Sequence, residues 1–137
     1  MIAGSTPVLV HNAGPKLCFA EFDSGKTAAH AGVAFTLSGY GGDVPKGFAR
    51  PRLEDVMQVQ DSIGKQRVPF FMDNGAGDGA FYLSHTEKQA IAHSPGADVT
   101  VTRPMCDDCF QFFTDLARAT GKQHTVIDPS GPYCFDP

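Results

Sequence analysis

The sequence predicts an α/β domain in three layers, with helices packed on a mixed central sheet. Segments with strand and helix patterns follow one another in the order strand, strand, helix, strand, helix, strand. A length of 137 residues suits one domain, and 42% hydrophobic residues with eleven Phe can fill its core. The net charge of -4 argues against strong nonspecific binding to nucleic acid, which requires a basic surface.

The first half of the chain predicts strands and loops around a single helix. We expect strands at 6–14 and 17–22, a third at 32–38, a helix at 53–63 and a strand or buried connector at 68–72. In the third strand, Val33, Phe35 and Leu37 alternate and lie on one face. The glycine-rich segments 39–47 and 73–79 predict loops.

The second half carries clearer helical patterns. We expect a helix at 87–93, a strand at 98–102, an amphipathic helix at 106–120, a strand at 124–127 and a Pro- and Gly-rich tail from 128. Ala90 and Ile91 point inward from the first helix. Gly121 ends the second helix at the position where glycine is most frequent.

A C-x-x-C pair stands at the start of the amphipathic helix and suits a metal ion. Cys106 and Cys109 are three residues apart, so both thiols can reach one ion from the same helix face. The first helical turn is partly positive, which favours the thiolate form that a metal needs. A third ligand from His85 would leave one open position on a tetrahedral zinc, which is typical of catalytic zinc sites.

Glu87 is the candidate proton carrier for such a site. It lies two residues after His85, so it is held near the metal. Residues two apart in a regular helix point to opposite sides. The geometry therefore requires His85 at the entry to the helix, with Glu87 just inside it.

The two motifs together resemble the signature of zinc-dependent nucleobase deaminases, H-x-E followed by P-C-x-x-C. Here the chain has H-T-E at 85–87 and P-M-C-D-D-C at 104–109, with Met105 as an additional residue. The resemblance implies a cytidine deaminase-like three-layer α/β/α fold and one Zn²⁺. It also implies that activated water attacks C4 of cytosine or C6 of adenine, with Glu87 as general acid and base.

Several residues near these motifs are candidates for substrate contact. The aromatic residues Phe70, Phe71, Phe81 and Tyr82 could stack on a base, and Asn74 could contact a nucleotide sugar. We assign Phe71, Tyr82 and Asn74 to substrate binding, together with Ser84 and Pro104. Five basic residues could form a local basic patch or a solvated face: Lys46, Arg50, Arg52, Lys65 and Arg67.

The beginning of the chain resembles the segment that precedes the C-terminal toxin domain in bacterial polymorphic toxins. The segment 7–13 reads P-V-L-V-H-N-A, and the H-T-E-K-Q-A helix opening is similar to that of several toxin deaminases. We therefore predict a carrier remnant at 1–12 and a deaminase toxin domain at 13–137. The resemblance implies export from a producing bacterium, action in the target-cell cytoplasm and a cognate immunity protein. No membrane helix is expected, because no apolar run approaches the required length of about 20 residues.

The leading hypothesis is cytosine deamination in nucleic acid, with single-stranded DNA favoured over duplex DNA or RNA, because a base in a single strand need not be unpaired first. A free nucleoside or adenine is the alternative substrate. Two hypotheses from other classes remain: a redox dithiol at Cys106 and Cys109, and a zinc-stabilised binding module without catalysis.

Overall fold

Five strands and four helices form the part of the chain that the computed structural model describes, residues 26–39, 44–73 and 79–137. In chain order they are β1 (Ala28–Ala31), β2 (Ala34–Leu37), α1 (Leu53–Ser62), α2 (Ala80–Leu83), α3 (Thr86–His93), β3 (Val99–Val101), α4 (Asp107–Thr120), β4 (His124–Asp128) and β5 (Gly131–Phe135). The predicted carrier remnant at 1–12, the predicted strands at 6–14 and 17–22, and Asn74 lie outside these residues.

The strands form one mixed sheet in the order β2-β1-β3-β4-β5. β3 and β4 are parallel, and every other neighbouring pair is antiparallel. Parallel neighbours require a crossover connection, and α4 supplies it between β3 and β4. The predicted α/β class with a mixed central sheet and a deaminase-like fold is confirmed. The crossover also fixes where α4 begins, shortly after the carboxyl end of β3.

One face of the sheet carries the core of the described part of the chain. The strand register places Ala29 beside Val101, and Val99 beside both Ala31 and Val126, so these side chains share a face. α3 and α4 cover that face with large buried side chains, among them Ile91, Phe112, Phe113 and Leu116. The predicted inward orientation of Ala90 and Ile91 is confirmed.

The strand predicted at 32–38 is the second half of a hairpin. Gly32 adopts a left-handed conformation with φ 59°, and Val33 at the turn is 96% exposed, so Val33 does not share a strand face with Phe35 and Leu37. The first half, β1, was missed because its sequence A-A-H-A is poor in β-branched residues. Ala29 and Ala31 have no exposed surface, and their small side chains allow the core helices to pack closely on β1.

Two further expectations differ from the structure. The segment 68–72 is neither a strand nor buried, since Phe71 is 88% exposed and Met72 55%. This apolar segment pairs with no strand among the described residues, so it does not extend the sheet. The tail from 128 contains an additional strand, β5, which pairs antiparallel with β4 through a tight turn closed at Gly131. The Pro132 of this strand is tolerated because β5 is an edge strand.

Candidate metal centre and active site

His85 lies at the entry to α3, as the expected geometry requires. Its backbone is extended (φ -63°, ψ 136°) and it occupies the N-cap position, directly before the first helical residue, Thr86. Glu87 is the second residue inside the helix. This change of backbone conformation between the two residues brings both side chains to one cavity, although they are only two positions apart.

Cys106 and Cys109 lie at the N-terminus of α4. Cys106 is the N-cap residue with an extended backbone (φ -81°, ψ 167°), and Cys109 is fully buried in the first turn. The His85 Nδ1 atom lies 3.4 Å from the Cys106 Sγ and 3.5 Å from the Cys109 Sγ. Two helix N-termini therefore meet at one point and bring the three predicted ligands together.

These three donors fit a tetrahedral zinc ion. Zn–N and Zn–S bonds of about 2.0 and 2.3 Å at a tetrahedral angle separate the nitrogen and sulfur atoms by roughly 3.5 Å. The two observed nitrogen–sulfur distances agree with that value. The donor atoms of all three residues lie within 4.8 Å of one another. One imidazole and two thiolates would leave a fourth position for a water molecule.

The electrostatics of the site favour a thiolate at Cys106. A hydrogen bond with Cys109 is the largest influence on the Cys106 thiol, and together with one to His85 it lowers the pKa of Cys106 despite partial burial. The thiolate is the form that binds a metal. The same hydrogen bond, together with burial, raises the pKa of the Cys109 thiol, so without an ion only one of the two thiols favours the thiolate form.

Glu87 is 4% exposed, and this burial raises the pKa of its carboxyl group. Burial penalises the charged form, so the carboxyl retains its proton to a higher pH than an exposed glutamate does. A carboxyl group with a raised pKa is better suited to donate a proton as well as to accept one. The arrangement places a suitable proton carrier at the same cavity as His85 and Cys106.

The cavity has a volume of about 390 Å³, and His85, Glu87 and Cys106 lie in its wall. Ser84 and Pro104, two of the predicted substrate contacts, also line it. Further lining residues were not singled out from the sequence as cavity residues, because they come from separate segments: Lys26, Thr27, Ser38, Gly39, Met72 and Arg103. Only the fold brings the ends of β1 and β2 to this place.

The aromatic candidates divide into one cavity residue and three neighbours. Phe81 lines the cavity, with its ring centroid 5.1 Å from that of His85. Tyr82 is not among the cavity-lining residues and contacts the His85 ring at 5.4 Å. Phe71 lies outside the cavity wall at the surface, against Phe70.

A buried ionic cluster holds the two ligand-bearing helices together. Lys88 is fully buried next to Glu87, and its ammonium group pairs with Asp108 of α4 and donates to the Gln60 Oε1 of α1 at 3.2 Å. Lys65 reaches the other oxygen of Asp108 at 2.6 Å. Burial by itself raises the pKa of Asp108, but the hydrogen bonds from Lys65 and Lys88 outweigh it and lower the pKa. No local sequence pattern predicts this cluster, because its members come from distant segments.

Lys65 therefore does not belong to a basic surface patch, nor to a solvated face. Arg52 pairs with Asp55, and Arg67 with Asp61, so three of the five residues in that predicted group have acidic partners.

Gln89 fixes the start of α3 against the end of β2. Its side-chain amide donates to the backbone carbonyl of Leu37 at 3.0 Å and to that of Ser84 at 2.7 Å. It also contacts the carbonyl of Gly39 at 3.3 Å. Ser84 and Gly39 are also lining residues of the cavity, so these bonds fix part of its wall. Gln89 is 1% exposed, so the bonds are shielded from water.

The additional residue in the second motif, Met105, is accommodated by the core. Its side chain is buried in the main hydrophobic cluster, and its backbone N–H donates to the Asp128 Oδ2 at 3.0 Å. Pro104 stays at the cavity wall and Cys106 stays at the N-cap of α4. The insertion is taken up between the two residues without displacing either from the site.

Comparison with known families agrees with the site. Residues 35–91 match the family model described as single-strand DNA deaminase toxin A, C-terminal. The matched segment includes His85 and Glu87, while Cys106 and Cys109 lie beyond it and join the site through the geometry described above. No curated protein matches the chain. The match over residues 35–91 and the mixed sheet with its packed helices support a deaminase toxin domain in this chain.

Proposed function

We propose that this domain is a zinc-dependent deaminase that converts cytosine to uracil in single-stranded DNA. The observation that carries the proposal is the convergence of His85, Cys106 and Cys109 on one point beside the buried Glu87. The matching family is described by its action on single-strand DNA, which supports this polymer as the substrate.

The chain's own residues would divide the chemistry as follows. A zinc ion held by His85, Cys106 and Cys109 would supply Lewis-acid chemistry, making a water molecule acidic enough to lose a proton near neutral pH. Glu87 accepts that proton and passes it to the ring nitrogen of the base; it then takes the remaining proton of the added hydroxyl group and delivers it to the amino group, which leaves as ammonia as the carbonyl forms. Burial raises the pKa of Glu87, which favours this double role.

The cavity also favours a base that is already unstacked. A cavity of about 390 Å³ can hold a base with its sugar. A base in a duplex must leave the stack before it can reach such a site. Single strands avoid the free energy of unpairing, and therefore single-stranded DNA is the preferred polymer in this proposal.

The proposal extends to the biological setting. The segment 7–13 is similar to the sequence that precedes toxin domains, and residues 35–91 match a family of deaminase toxins. We infer that residues 13–137 form the toxic part of a larger exported protein that acts in the cytoplasm of a target cell. A cognate immunity protein would protect the producer. No helix in the described part of the chain is long and apolar enough to cross a lipid bilayer.

The test is a deamination assay on four substrates: single-stranded DNA, duplex DNA, RNA and free deoxycytidine, each also with adenine in place of cytosine. Conversion of C to U in single-stranded DNA, by wild type and not by Glu87→Ala, is the expected result. Conversion only of the nucleoside or of adenine would contradict the proposal in favour of the alternative substrates.

The same preparation tests the two other classes of function. A redox dithiol requires reversible oxidation of Cys106 and Cys109 without bound zinc. A zinc-stabilised binding module would bind zinc, and Glu87→Gln would change nothing measurable. We expect about one zinc per chain and a clear effect of the substitution at Glu87.

A further inference from the structure

An exposed aromatic side chain stands beside the mouth of the cavity. Phe71 is 88% exposed, and among the described residues no other Phe or Tyr is exposed to this degree. The next residue, Met72, lines the cavity. An exposed large aromatic ring at a substrate cavity marks a candidate contact surface.

The exposed ring is connected to the cavity by a continuous series of ring contacts. The ring centroid of Phe70 lies 4.5 Å from that of Phe71 on one side. On the other side Phe70 stacks on Phe81 at 4.2 Å, with 18° between the planes. Phe81 lies in the cavity wall against His85. We call Phe71, Phe70 and Phe81 the aromatic track.

The carboxylate of Asp73 holds this track in place. It accepts hydrogen bonds from the backbone N–H of Phe70 at 2.8 Å, of Phe81 at 3.0 Å and of Gly79 at 3.0 Å. Three N–H donors on one carboxylate fix two backbone segments relative to each other. The backbone positions of Phe70 and Phe81 are therefore fixed by the fold before any ligand binds.

Two cations lie in the wall of the same cavity. Lys26 and Arg103 are lining residues, and neither forms a salt bridge with another described residue. The other cations close to the ligand helices, Lys65 and Lys88, are buried and paired with Asp108. In a chain of net charge -4, Lys26 and Arg103 supply local positive charge where a substrate would enter.

We propose that the aromatic track and these two cations bind the single strand on either side of the target nucleotide. The target base enters the cavity beside Phe81, a neighbouring base stacks on Phe71, and Lys26 and Arg103 contact the flanking phosphates. This inference rests on the proposed action on single-stranded DNA and names the residues that distinguish a polymer from a free nucleoside. Stacking tolerates any base, so the contact selects a polymer without requiring one flanking sequence.

The first experiment measures binding, with Glu87→Gln as background so that little substrate is consumed during the titration. A fluorescein-labelled 12-nucleotide DNA strand with one cytosine is titrated with zinc-loaded protein. Phe71→Leu keeps an apolar side chain but removes the ring, and Phe71→Tyr keeps the ring. We expect Phe71→Leu to weaken binding by about fivefold to a hundredfold, the range for one base–aromatic stack, and Phe71→Tyr to bind like the parent.

The second experiment compares substrates in the active enzyme. Phe71→Leu raises KM for the 12-nucleotide strand far more than KM for deoxycytidine, because a nucleoside has no neighbouring base to stack on Phe71. Val33→Ala, at the exposed turn between β1 and β2, is the control for loss of exposed apolar surface.

Salt dependence tests the cations. Removing one phosphate contact reduces the slope of log K against log salt by about 0.7 for a single strand. We expect this reduction for Arg103→Gln and for Lys26→Gln. Lys122→Gln is the control with the same change in charge, because Lys122 follows the far end of α4, about 20 Å along a 14-residue helix from Cys106.

Equal DNA binding and equal KM for wild type and Phe71→Leu would overturn the proposal and leave the exposed ring to another partner, such as a protein. An equal loss of activity of Phe71→Leu on DNA and on deoxycytidine would also overturn the proposal, because the substitution would then act on the cavity and not on a neighbouring base. The binding proposal and the proposed function can fail separately. If DNA binding depends on Phe71 but no deamination occurs, only the proposed function is contradicted.

Discussion

His85 and Glu87 show how a single backbone angle creates a site. In a continuous helix, two residues at this spacing would face opposite directions. His85 is instead extended, and the helix begins at Thr86, so the imidazole and the carboxyl group share the cavity. The sequence spacing predicted this requirement, because the proposed chemistry allowed no other arrangement.

Glu87→Gln tests the role of this residue without removing its volume. We expect kcat to fall by about 10²–10⁴-fold, the typical contribution of a general acid–base group, since the amide cannot carry a proton. Zinc content and thermal stability should stay close to wild type, because the carboxyl is not among the three proposed ligands. Metal analysis, melting curves and steady-state kinetics measure all three. Activity within tenfold of wild type would rule out Glu87 as the proton carrier.

At the scale of elements, the site depends on two helix N-termini that approach each other. α3 carries His85 and Glu87 at its start, and α4 carries both cysteines. The Lys88–Asp108 pair joins these two helices directly behind the ligands, and Lys65 adds a third connection. Local patterns predicted the helices but not the buried ions between them, because an i, i+3 pattern carries no information about a partner 20 or more residues away.

Lys88→Met should be strongly destabilising. It leaves Asp108 with one cationic partner in a buried position, and loss of one partner from a buried pair costs on the order of 3 kcal/mol. The triple variant Lys65→Met, Lys88→Met, Asp108→Leu removes all three charges and should recover most of that stability. Urea unfolding measures both. If the triple variant is less stable than Lys88→Met, the cluster contributes more to the free energy of unfolding than the neutralisation of its three charges by one another.

The triple variant also separates stability from metal binding. If the cluster sets the distance between the two helix N-termini, zinc affinity stays reduced even where the fold is restored. Competition with a chromophoric chelator measures that affinity. Wild-type affinity in the refolded triple variant would show that packing alone positions the ligands.

For the molecule as a whole, the sequence predicted the architecture better than its details. The α/β class, the mixed sheet and the two ligand-bearing helices followed from periodicity and from two short motifs. β1 was missed because alanine is a weak strand signal, although small side chains are what its packing requires. The 68–72 segment was assigned to the interior because it is apolar, whereas it lies at the surface beside the cavity. Apolar composition identifies segments that can be buried, but the packing of the whole fold determines which of them are buried.

Stability should depend on pH through Asp108. The pKa of this carboxyl is lowered in the folded chain, so its contribution is complete above the unfolded value of about 3.9 and is lost as the pH falls through the lower folded value. The melting temperature of wild type should therefore decrease as the pH falls below about 4. Asp108→Asn should show a weaker decrease, and Asp98→Asn, at the exposed start of β3, should behave like wild type. An equal decrease in all three proteins would remove Asp108 from this explanation.

The proposed zinc-dependent deaminase activity requires three residues that hold the metal and one glutamate that carries the protons. It is tested most directly by titrating metal-free protein with zinc while uracil formation in single-stranded DNA is measured. Activity should be absent without metal, rise in proportion to added zinc and reach a plateau at one equivalent. Full activity in the chelated protein, or no activity from a folded protein that has bound one equivalent of zinc on any cytosine- or adenine-containing substrate, would contradict it.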